Sequence, residues 1–283
     1  MKRKSIRSGS IGLGGRIVSY AVMALFAGLT ILPLIWLIYS SFKSNGEIIK
    51  NSLALPIKWI TTNYPQAWQR GHLGTYFLNS IFYTAVATTL TVLLSIMSGY
   101  AFAKLKFRIT GFFYAFFAMG LLISVQAVLV PLYFVWTKIG LYNTRLGLII
   151  PYIAFGLPMA VYLGTAFIKG IPDSLSEAAI IDGASYLTIF RRIIFPVCSP
   201  VVTTITIITF LGNWNEFVFA LMLLSKDSLR SLSVGINSFA GILNTNYGLQ
   251  FAALVIGLVP MILFYLFFHR QLKAGFAEGA LKD

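Results

Sequence analysis

Cysteine and histidine are nearly absent from the 283-residue sequence, which contains Cys198, His72 and His269 and no others of these two types. A structural zinc site needs four such ligands, and a disulfide needs a second cysteine. The three residues also lie far apart in the sequence, which disfavours a Cys/His catalytic pair. Metal and redox chemistry are therefore not expected of this chain.

Acidic residues are also scarce, with 8 Asp and Glu against 22 Lys and Arg, so that charged residues make up only 11% of the chain. Soluble domains carry about 25%. Hydrophobic residues make up 58%, and the mean hydropathy is +0.82, which a water-facing surface of this size would not tolerate. The net charge of +14 would suit a nucleic-acid partner, but the basic residues separate apolar runs instead of clustering. The sequence therefore predicts a membrane protein with no nucleic-acid partner.

Six long stretches lack Asp, Glu, Lys and Arg altogether. A helix of about 20 apolar residues crosses a hydrocarbon core of about 30 Å, so each stretch is long enough to span a membrane. The sequence thus predicts an all-α membrane protein whose transmembrane domain, residues 17–270, has six helices. The predicted spans are about 17–42, 77–103, 109–136, 146–168, 197–224 and 249–269, with an outer loop at 43–76 and an inner loop at 169–196.

The distribution of basic residues predicts the orientation of these spans. Most of the 22 Lys and Arg fall on the side that holds both termini, and cytoplasmic segments retain an excess of Lys and Arg. Residues 1–16 and 271–283 are therefore predicted to be cytoplasmic tails. The apolar stretch 17–42 is too long for the hydrophobic part of a signal peptide, so we interpret it as a retained first helix.

The inner loop, residues 169–196, is long for a connection inside a compact protein, which suggests a function. Ser174 is predicted to cap a short helix, with Glu177 as its capping-box partner, and Gly183 to end that helix in the left-handed conformation. An amphipathic helix is predicted next, with apolar residues at Tyr186, Ile189, Phe190, Ile193 and Ile194. The two helices could form a docking element, or the loop could simply rest on lipid headgroups.

The same loop carries a motif that resembles the EAA loop of permease subunits of bacterial ABC importers. Glu177-Ala178-Ala179 is followed by three residues, Gly183, nine residues, Ile193, one residue and Phe195-Pro196, with Phe195 in place of the usual Leu. Other segments are similar to maltose-type (MalG-like) permeases of carbohydrate ABC importers. They are Ser41-Phe42-Lys43 with Glu47, Asn79-Ser80, Gly99 to Lys104, Gln126 before Pro131-Leu132-Tyr133, Trp214 to Phe217, and Gly275 with Gly279 to Lys282.

This resemblance implies a coupling helix, from about Leu175 to Asp182, that sits in a cleft of a cytosolic ATPase. It implies a homologous second permease, two ATPase subunits and an extracytoplasmic solute-binding protein as partners. The chain has no G-x-x-x-x-G-K-[ST] phosphate loop, so ATP and Mg²⁺ are expected on the partner ATPases and no cofactor on this chain. The docking residues implied are Ser174, Glu177, Ala178, Ala179, Asp182, Gly183, Tyr186, Arg191, Arg192 and Pro196.

Glu216 is the only acidic residue inside a predicted span. Acidic residues within the membrane generally face protein or a water-filled route, although Glu216 could also be a solvated interfacial anchor. Candidate residues of a translocation path are Gln126, Asn213, Trp214, Asn215 and Glu216, and Gly156, Ala160 and Gly164 are predicted to form a helix-packing seam.

The function predicted on this basis is that of a non-enzymatic permease subunit, in a bacterial inner membrane, for an oligosaccharide or related sugar. An alternative within the same importer type is a glycerol phosphodiester, a polyol or a sugar acid as cargo. A further alternative is an ion-coupled secondary transporter, which would use the intramembrane acid directly. A membrane-embedded enzyme is disfavoured, because no nucleophile, base and orienting group occur at one depth.

Overall fold

A computed structural model describes residues 13–105, 108–241 and 245–280, with side chains up to Phe268. Every regular element in these ranges is helical, which confirms the predicted fold class. Four helices are long and apolar enough to cross a membrane unaided. They are α1 (Leu13–Ser40), α4 (Leu73–Lys104), α7 (Arg145–Lys169) and α14 (Tyr247–Ala280), and between the first two lie the short helices α2 (Asn45–Lys50) and α3 (Asn63–Arg70).

The third predicted span, 109–136, is not one straight helix. It consists of α5 (Thr110–Gly120) and α6 (Val125–Lys138), which are bent by 101° relative to each other. Ser124 starts α6 because its side chain accepts a hydrogen bond from the backbone N–H of Ala127 at 3.4 Å. The pair is either a broken span or a re-entrant segment, and the count of six spans stays a prediction.

The fifth predicted span, 197–224, is divided as well. The inner loop contains α8 (Ser174–Ile181), α9 (Tyr186–Ile189), a π-helix (Phe190–Ile194) and α10 (Phe195–Val197). The chain then bends by 75° into α11 (Ser199–Asn215), which stops before Glu216. After this break come α12 (Val218–Leu223), a 3₁₀ turn (Asp227–Leu229) and α13 (Leu232–Asn237).

The tightest helix pair is α4 with α7, and small residues make it possible. A Cβ added to Gly99 would lie 3.0 Å from the carbonyl carbon of Gly164, and one added to Gly156 would lie 3.1 Å from Thr91 Cγ2. Ala160 between them is 2% exposed. The predicted seam is therefore confirmed, because side chains larger than these would push the two helices apart.

The segment that follows α1 is held by polar contacts. Ser44 and Glu47 form a capping box at the start of α2, in which the backbone N–H of Ser44 donates to Glu47 Oε2 at 3.0 Å. This bond lowers the pKa of the Glu47 carboxyl below its usual value. Lys43 is 1% exposed, and its Nζ donates to the carbonyl oxygens of Asn51 and Ser52.

Candidate functional site

Helix α8 begins differently from the prediction. Ser174 is its first helical residue, and the N-cap is Asp173, which makes no side-chain capping bond. The predicted capping box between Ser174 and Glu177 is therefore wrong. The carboxylate of Asp173 instead pairs with Lys104 at the end of α4, so the start of α8 is fixed by another helix and not by a local cap.

The end of α8 matches the prediction. Gly183 has φ +78°, in the left-handed region that favours glycine. The backbone N–H of Ala184 donates to the carbonyl of Ala179 at 2.9 Å, and that of Gly183 to the carbonyl of Ile180 at 3.0 Å. These two bonds are the Schellman motif, which satisfies the last carbonyls of a helix and turns the chain sharply.

One face of α8 is buried and the other is open. Ala179 is buried against the body of the protein. Glu177, Ala178 and Asp182 are exposed, and Ile181 is 85% exposed. Leu175 and Ile180 on the same helix are also exposed, by 44% and 50%. Several exposed apolar side chains beside two carboxylates are typical of a surface that binds another protein. The predicted docking residues Ser174, Arg191, Arg192 and Pro196 are also exposed.

The predicted amphipathic helix after Gly183 is only partly regular. Ser185 caps α9 by accepting from the backbone N–H of Thr188 at 3.3 Å. Ile189 and Ile194 are fully buried, as the pattern predicted, but Tyr186 is 62% exposed. The assignment of Tyr186 to the apolar face is therefore wrong. The wider π-helical turn from Phe190 changes the angular spacing on which the periodicity relied.

The inner loop is packed continuously onto the long helices. The ring of Phe190 lies 5.7 Å from that of Tyr100 on α4 and 5.9 Å from that of Phe195. One hydrophobic cluster joins the loop to α4, α7 and α11. Its buried members are Val92, Ile96, Tyr100, Ala160, Ile168, Ile171, Ala179, Ile189, Phe190, Ile194, Cys198, Val201 and Ile205.

Glu216 lies at the break after α11, outside any helix, and not within a continuous fifth helix as predicted. Its Oε1 accepts from the backbone N–H of Phe219 at 2.7 Å, and its Oε2 from that of Ala220 at 3.1 Å. The hydroxyl of Tyr152 on α7 donates to Oε2 at 2.9 Å. The carboxylate therefore caps α12 and ties it to α7.

A cavity of about 270 Å³ lies beside Glu216. Its polar lining includes Asn213, Thr209 and Tyr152, and its apolar lining includes Met159. Asn213 also approaches Thr88 on α4, at 3.4 Å from Nδ2 to Oγ1. Tyr152 was not singled out from the sequence, because a tyrosine within an apolar run resembles an interfacial anchor until its partner is known.

The other path candidates lie elsewhere. Trp214 is 6% exposed, stacks on Phe210 at 6.0 Å and donates from Nε1 to the carbonyl of Gly257 at 3.1 Å. Its ring thus packs α11 against α14. Asn215 is exposed and, with Trp214, lines a separate hollow of about 370 Å³. Gln126 is exposed on α6. Of the five candidates, Asn213 and Glu216 share the cavity, and the assignment of all five to a path stays a prediction.

A family model described as "Binding-protein-dependent transport system inner membrane component" matches residues 91–276, which include both the inner loop and the Glu216 cavity. The chain belongs to this family. It is therefore a multi-pass membrane permease component of an ABC transporter and is not a catalytic subunit, since ATP hydrolysis resides in partner subunits. The predicted resemblance to carbohydrate permeases is also confirmed by the relatives that follow.

Two relatives and one solved structure are similar over most of the permease. The diacetylchitobiose uptake system permease protein NgcG of Streptomyces coelicolor is 34% identical, covering 94% of this chain and 88% of that protein. The multiple sugar-binding transport system permease protein MsmG of Streptococcus mutans is 33% identical, covering 93% and 96%. A bacterial ABC transporter that imports the acidic polysaccharide alginate has the same fold, with a TM-score of 0.77 at 24% identity, covering 90% and 95%.

Proposed function

We propose that this permease imports an oligosaccharide or a related sugar, and that the inner loop couples its spans to cytosolic ATPase subunits. The observation that carries the proposal is the geometry of α8. The helix offers an open face of carboxylates and a protruding isoleucine, while its other side is fixed to α4, α7 and α11 through one hydrophobic cluster. A close-packed interior transmits displacement because it cannot deform freely.

The proposed complex contains a homologous second permease, two ATPase subunits and an extracytoplasmic solute-binding protein. The family description supports the last of these, because the transport it names depends on a binding protein. The apolar window of α1 contains no buried residue, whereas half of the corresponding window of α4 is buried. The open surface of α1 supports a partner chain in the membrane. Both termini and the inner loop are proposed to face the cytoplasm.

The cargo is proposed to be a sugar because the relatives NgcG and MsmG are named for sugar systems. The cavity beside Glu216 is a candidate part of the route. Among the described residues, no Lys or Arg lines this cavity, while a carboxylate does. This lining favours a neutral sugar or polyol over a glycerol phosphodiester or a sugar acid, since an anionic cargo would meet the negative charge of Glu216.

The ion-coupled alternative is less well supported than it was from the sequence. The carboxylate of Glu216 accepts hydrogen bonds from two backbone N–H groups and one tyrosine hydroxyl, so it has a structural role at the start of α12. A carboxylate that binds a coupling ion would have to exchange these partners during transport. Membership in a family of binding-protein-dependent permeases also supports the ATP-driven function.

The experiment that tests this function is purification of the tagged permease with its companions, followed by reconstitution into lipid vesicles. Glu177→Lys reverses the charge on the open face of α8, and Gly183→Pro excludes φ +78° and removes the N–H that bonds Ile180. We expect both variants to insert normally but to lose uptake by roughly tenfold or more, with ATP hydrolysis no longer tied to transport.

Gly183→Asn is the matched control, because asparagine tolerates the left-handed region. It should retain most of the uptake. The solute is identified by measuring which oligosaccharides the co-purified receptor binds, beginning with diacetylchitobiose, the sugar for which the system of NgcG is named. Normal uptake by both Glu177→Lys and Gly183→Pro would contradict the coupling function, and accumulation by the permease alone in an ion gradient would favour the secondary transporter.

A further inference from the structure

The last two turns of α4 contain the motif Gly99 to Lys104, in which the coupling function described above does not use Lys104. Lys104 is the last residue of α4, and its side chain is only 8% exposed. Its Nζ donates to the carbonyl oxygen of Ile171, just after α7, and to Oδ1 of Asp173, the N-cap of α8. A single, mostly buried lysine side chain therefore joins the ends of α4 and α7 to the start of α8, where its partner Asp173 is 69% exposed.

Two neighbours of Lys104 contact the same region. Gly99 allows the backbone of α4 to approach Gly164 and Thr165 on α7, because a Cβ there would lie 3.0 Å from both. Tyr100 is 6% exposed, and its ring lies 5.7 Å from that of Phe190, beyond the turn that ends α8. The last turns of α4 therefore touch the inner loop on both sides of α8, at Asp173 before it and at Phe190 after it.

Between these two attachments, α8 does not lie flat on α4. A cavity of about 430 Å³ separates them, lined by residues that include Lys104, Ser176, Glu177 and Tyr186. Within the described part of the chain, the hydroxyl of Ser176 has no hydrogen-bond partner, although it is shielded from solvent. At the edge of this cavity, the start of α8 is held to α4 by the polar bonds of Lys104. The end of α8 is held by apolar packing.

We propose that Lys104 is a positioning residue for energy coupling, which makes the end of α4 follow the movement of α8. This inference rests on the proposed docking of α8 on an ATPase. The exposed face of α8 would receive the force, and the bonds from Lys104 to Asp173 and Ile171 would pass it to α4 and α7. Because the cavity leaves α8 room to tilt, the loss of Lys104 would let α8 move while α4 stays in place.

The test uses hydrogen–deuterium exchange on the complete complex purified through a tag on this permease, before and after trapping with ATP and vanadate. In the wild type, we expect trapping to change exchange both in the segment 172–185 and in the segment 94–104. In Lys104→Met, the first segment should still respond, and the response of the second should fall by roughly tenfold. A role in stability alone would not separate the two responses.

Two further variants make the result specific. The exchanged pair Lys104→Asp with Asp173→Lys should restore the response of 94–104 in part. It re-forms the ion pair in the opposite sense, but a carboxylate at position 104 cannot donate to the carbonyl oxygen of Ile171. Lys169→Met is the matched control, because Lys169 lies at the end of α7 and its Nζ lies 5.1 Å from the centre of the ring of Tyr114. It should leave both responses unchanged.

The outcomes separate this inference from the proposed function. If segment 172–185 does not respond to trapping in the wild type, the docking of α8 is wrong, and the inference falls with it. If it responds but segment 94–104 follows it equally well in Lys104→Met, docking stands and the role of Lys104 is wrong. Failure of the exchanged pair to restore any of the response would also contradict the ion pair as part of the link.

Discussion

The two ends of α11 are built by opposite means. At the inner-loop end, the chain turns by 75° while Ile194, Cys198 and Val201 stay in one hydrophobic cluster. At the other end, the helix stops, and the carboxylate of Glu216 holds the next helix by hydrogen bonds. Apolar packing is not directional and survives small rotations, whereas hydrogen bonds weaken steeply when their angles change. The first end can therefore rotate slightly without losing its contacts, whereas the second is held in one orientation by its hydrogen bonds.

The largest expected effect tests the apolar end. Ile194 is fully buried where the loop meets α11, so Ile194→Ala should lower the free energy of unfolding by about 2–5 kcal/mol through lost packing and a cavity. Thermal unfolding of the purified complex measures this loss. Ile194→Val is the control and should cost about 0.5–1.5 kcal/mol. If both variants lost the same free energy of unfolding, apolar packing would not be what holds the inner-loop end of α11.

A smaller effect is expected at the polar end. Glu216→Ala removes the cap of α12 and should cost about 0.5–2 kcal/mol. Hydrogen exchange should rise at the backbone amides of Phe219 and Ala220 and stay unchanged in α8. Glu216→Gln keeps one oxygen acceptor, so its stability and its exchange rates should lie between those of the wild type and Glu216→Ala. If exchange rose in α8 as well, the two ends of α11 would be one cooperative unit, and the contrast between them would be wrong.

The smallest effect concerns Glu47, a partly exposed capping carboxylate that serves as a reference for Glu216. Its pKa in the folded protein lies below the usual 4.5, mainly because the backbone N–H of Ser44 donates to it. The stability that it contributes is therefore present above about pH 4.5 and is lost as pH falls through the lower folded pKa. Trp59 packs on Phe42 nearby at 5.3 Å, so its fluorescence can report this loss.

The control for this pH effect is Ser44→Ala. It removes the side-chain hydroxyl bond to Glu47 but keeps the larger contribution of the backbone N–H. The acid transition should move slightly toward higher pH. An unchanged transition would show that the hydroxyl bond contributes nothing to the pKa, and a transition that moves to lower pH would contradict the sign of the effect.

Much of the architecture could be predicted from charge-free runs, because a long apolar helix leaves a continuous signal in the sequence. This works for α1, α4, α7 and α14. The same signal cannot report where a helix stops inside an apolar run. The bend between Gly120 and Ser124 and the stop before Glu216 were both missed for this reason. Ser124 is an ordinary helix-capping residue, and its presence could have indicated the start of α6. A search for charge-free runs does not detect capping residues.

In the candidate site, features that depend on neighbouring residues could be predicted from the sequence, and features that depend on distant residues could not. Gly183 could be predicted because a left-handed helix end depends on neighbouring residues alone. The true start of α8 could not be predicted from the sequence. Its N-cap is Asp173 and not Ser174, and Asp173 is bound by Lys104, which lies 69 residues away in the sequence. The bond between Tyr152 and Glu216 joins residues 64 apart. Contacts of this kind follow from how the helices pack, which periodicity does not specify.

The contact between the first and last long helices has a consequence for biosynthesis. Trp36 on α1 meets Phe251 on α14 edge to face at 5.2 Å, and Asn45, just after α1, accepts from the backbone N–H of Tyr247 at 3.0 Å. A helix that is synthesised early thus pairs with one that is synthesised about 200 residues later. Until α14 has been made, α1 must remain in the bilayer without this neighbour, and a nascent chain that stops before residue 247 would leave α1 open to other proteins or to proteolysis.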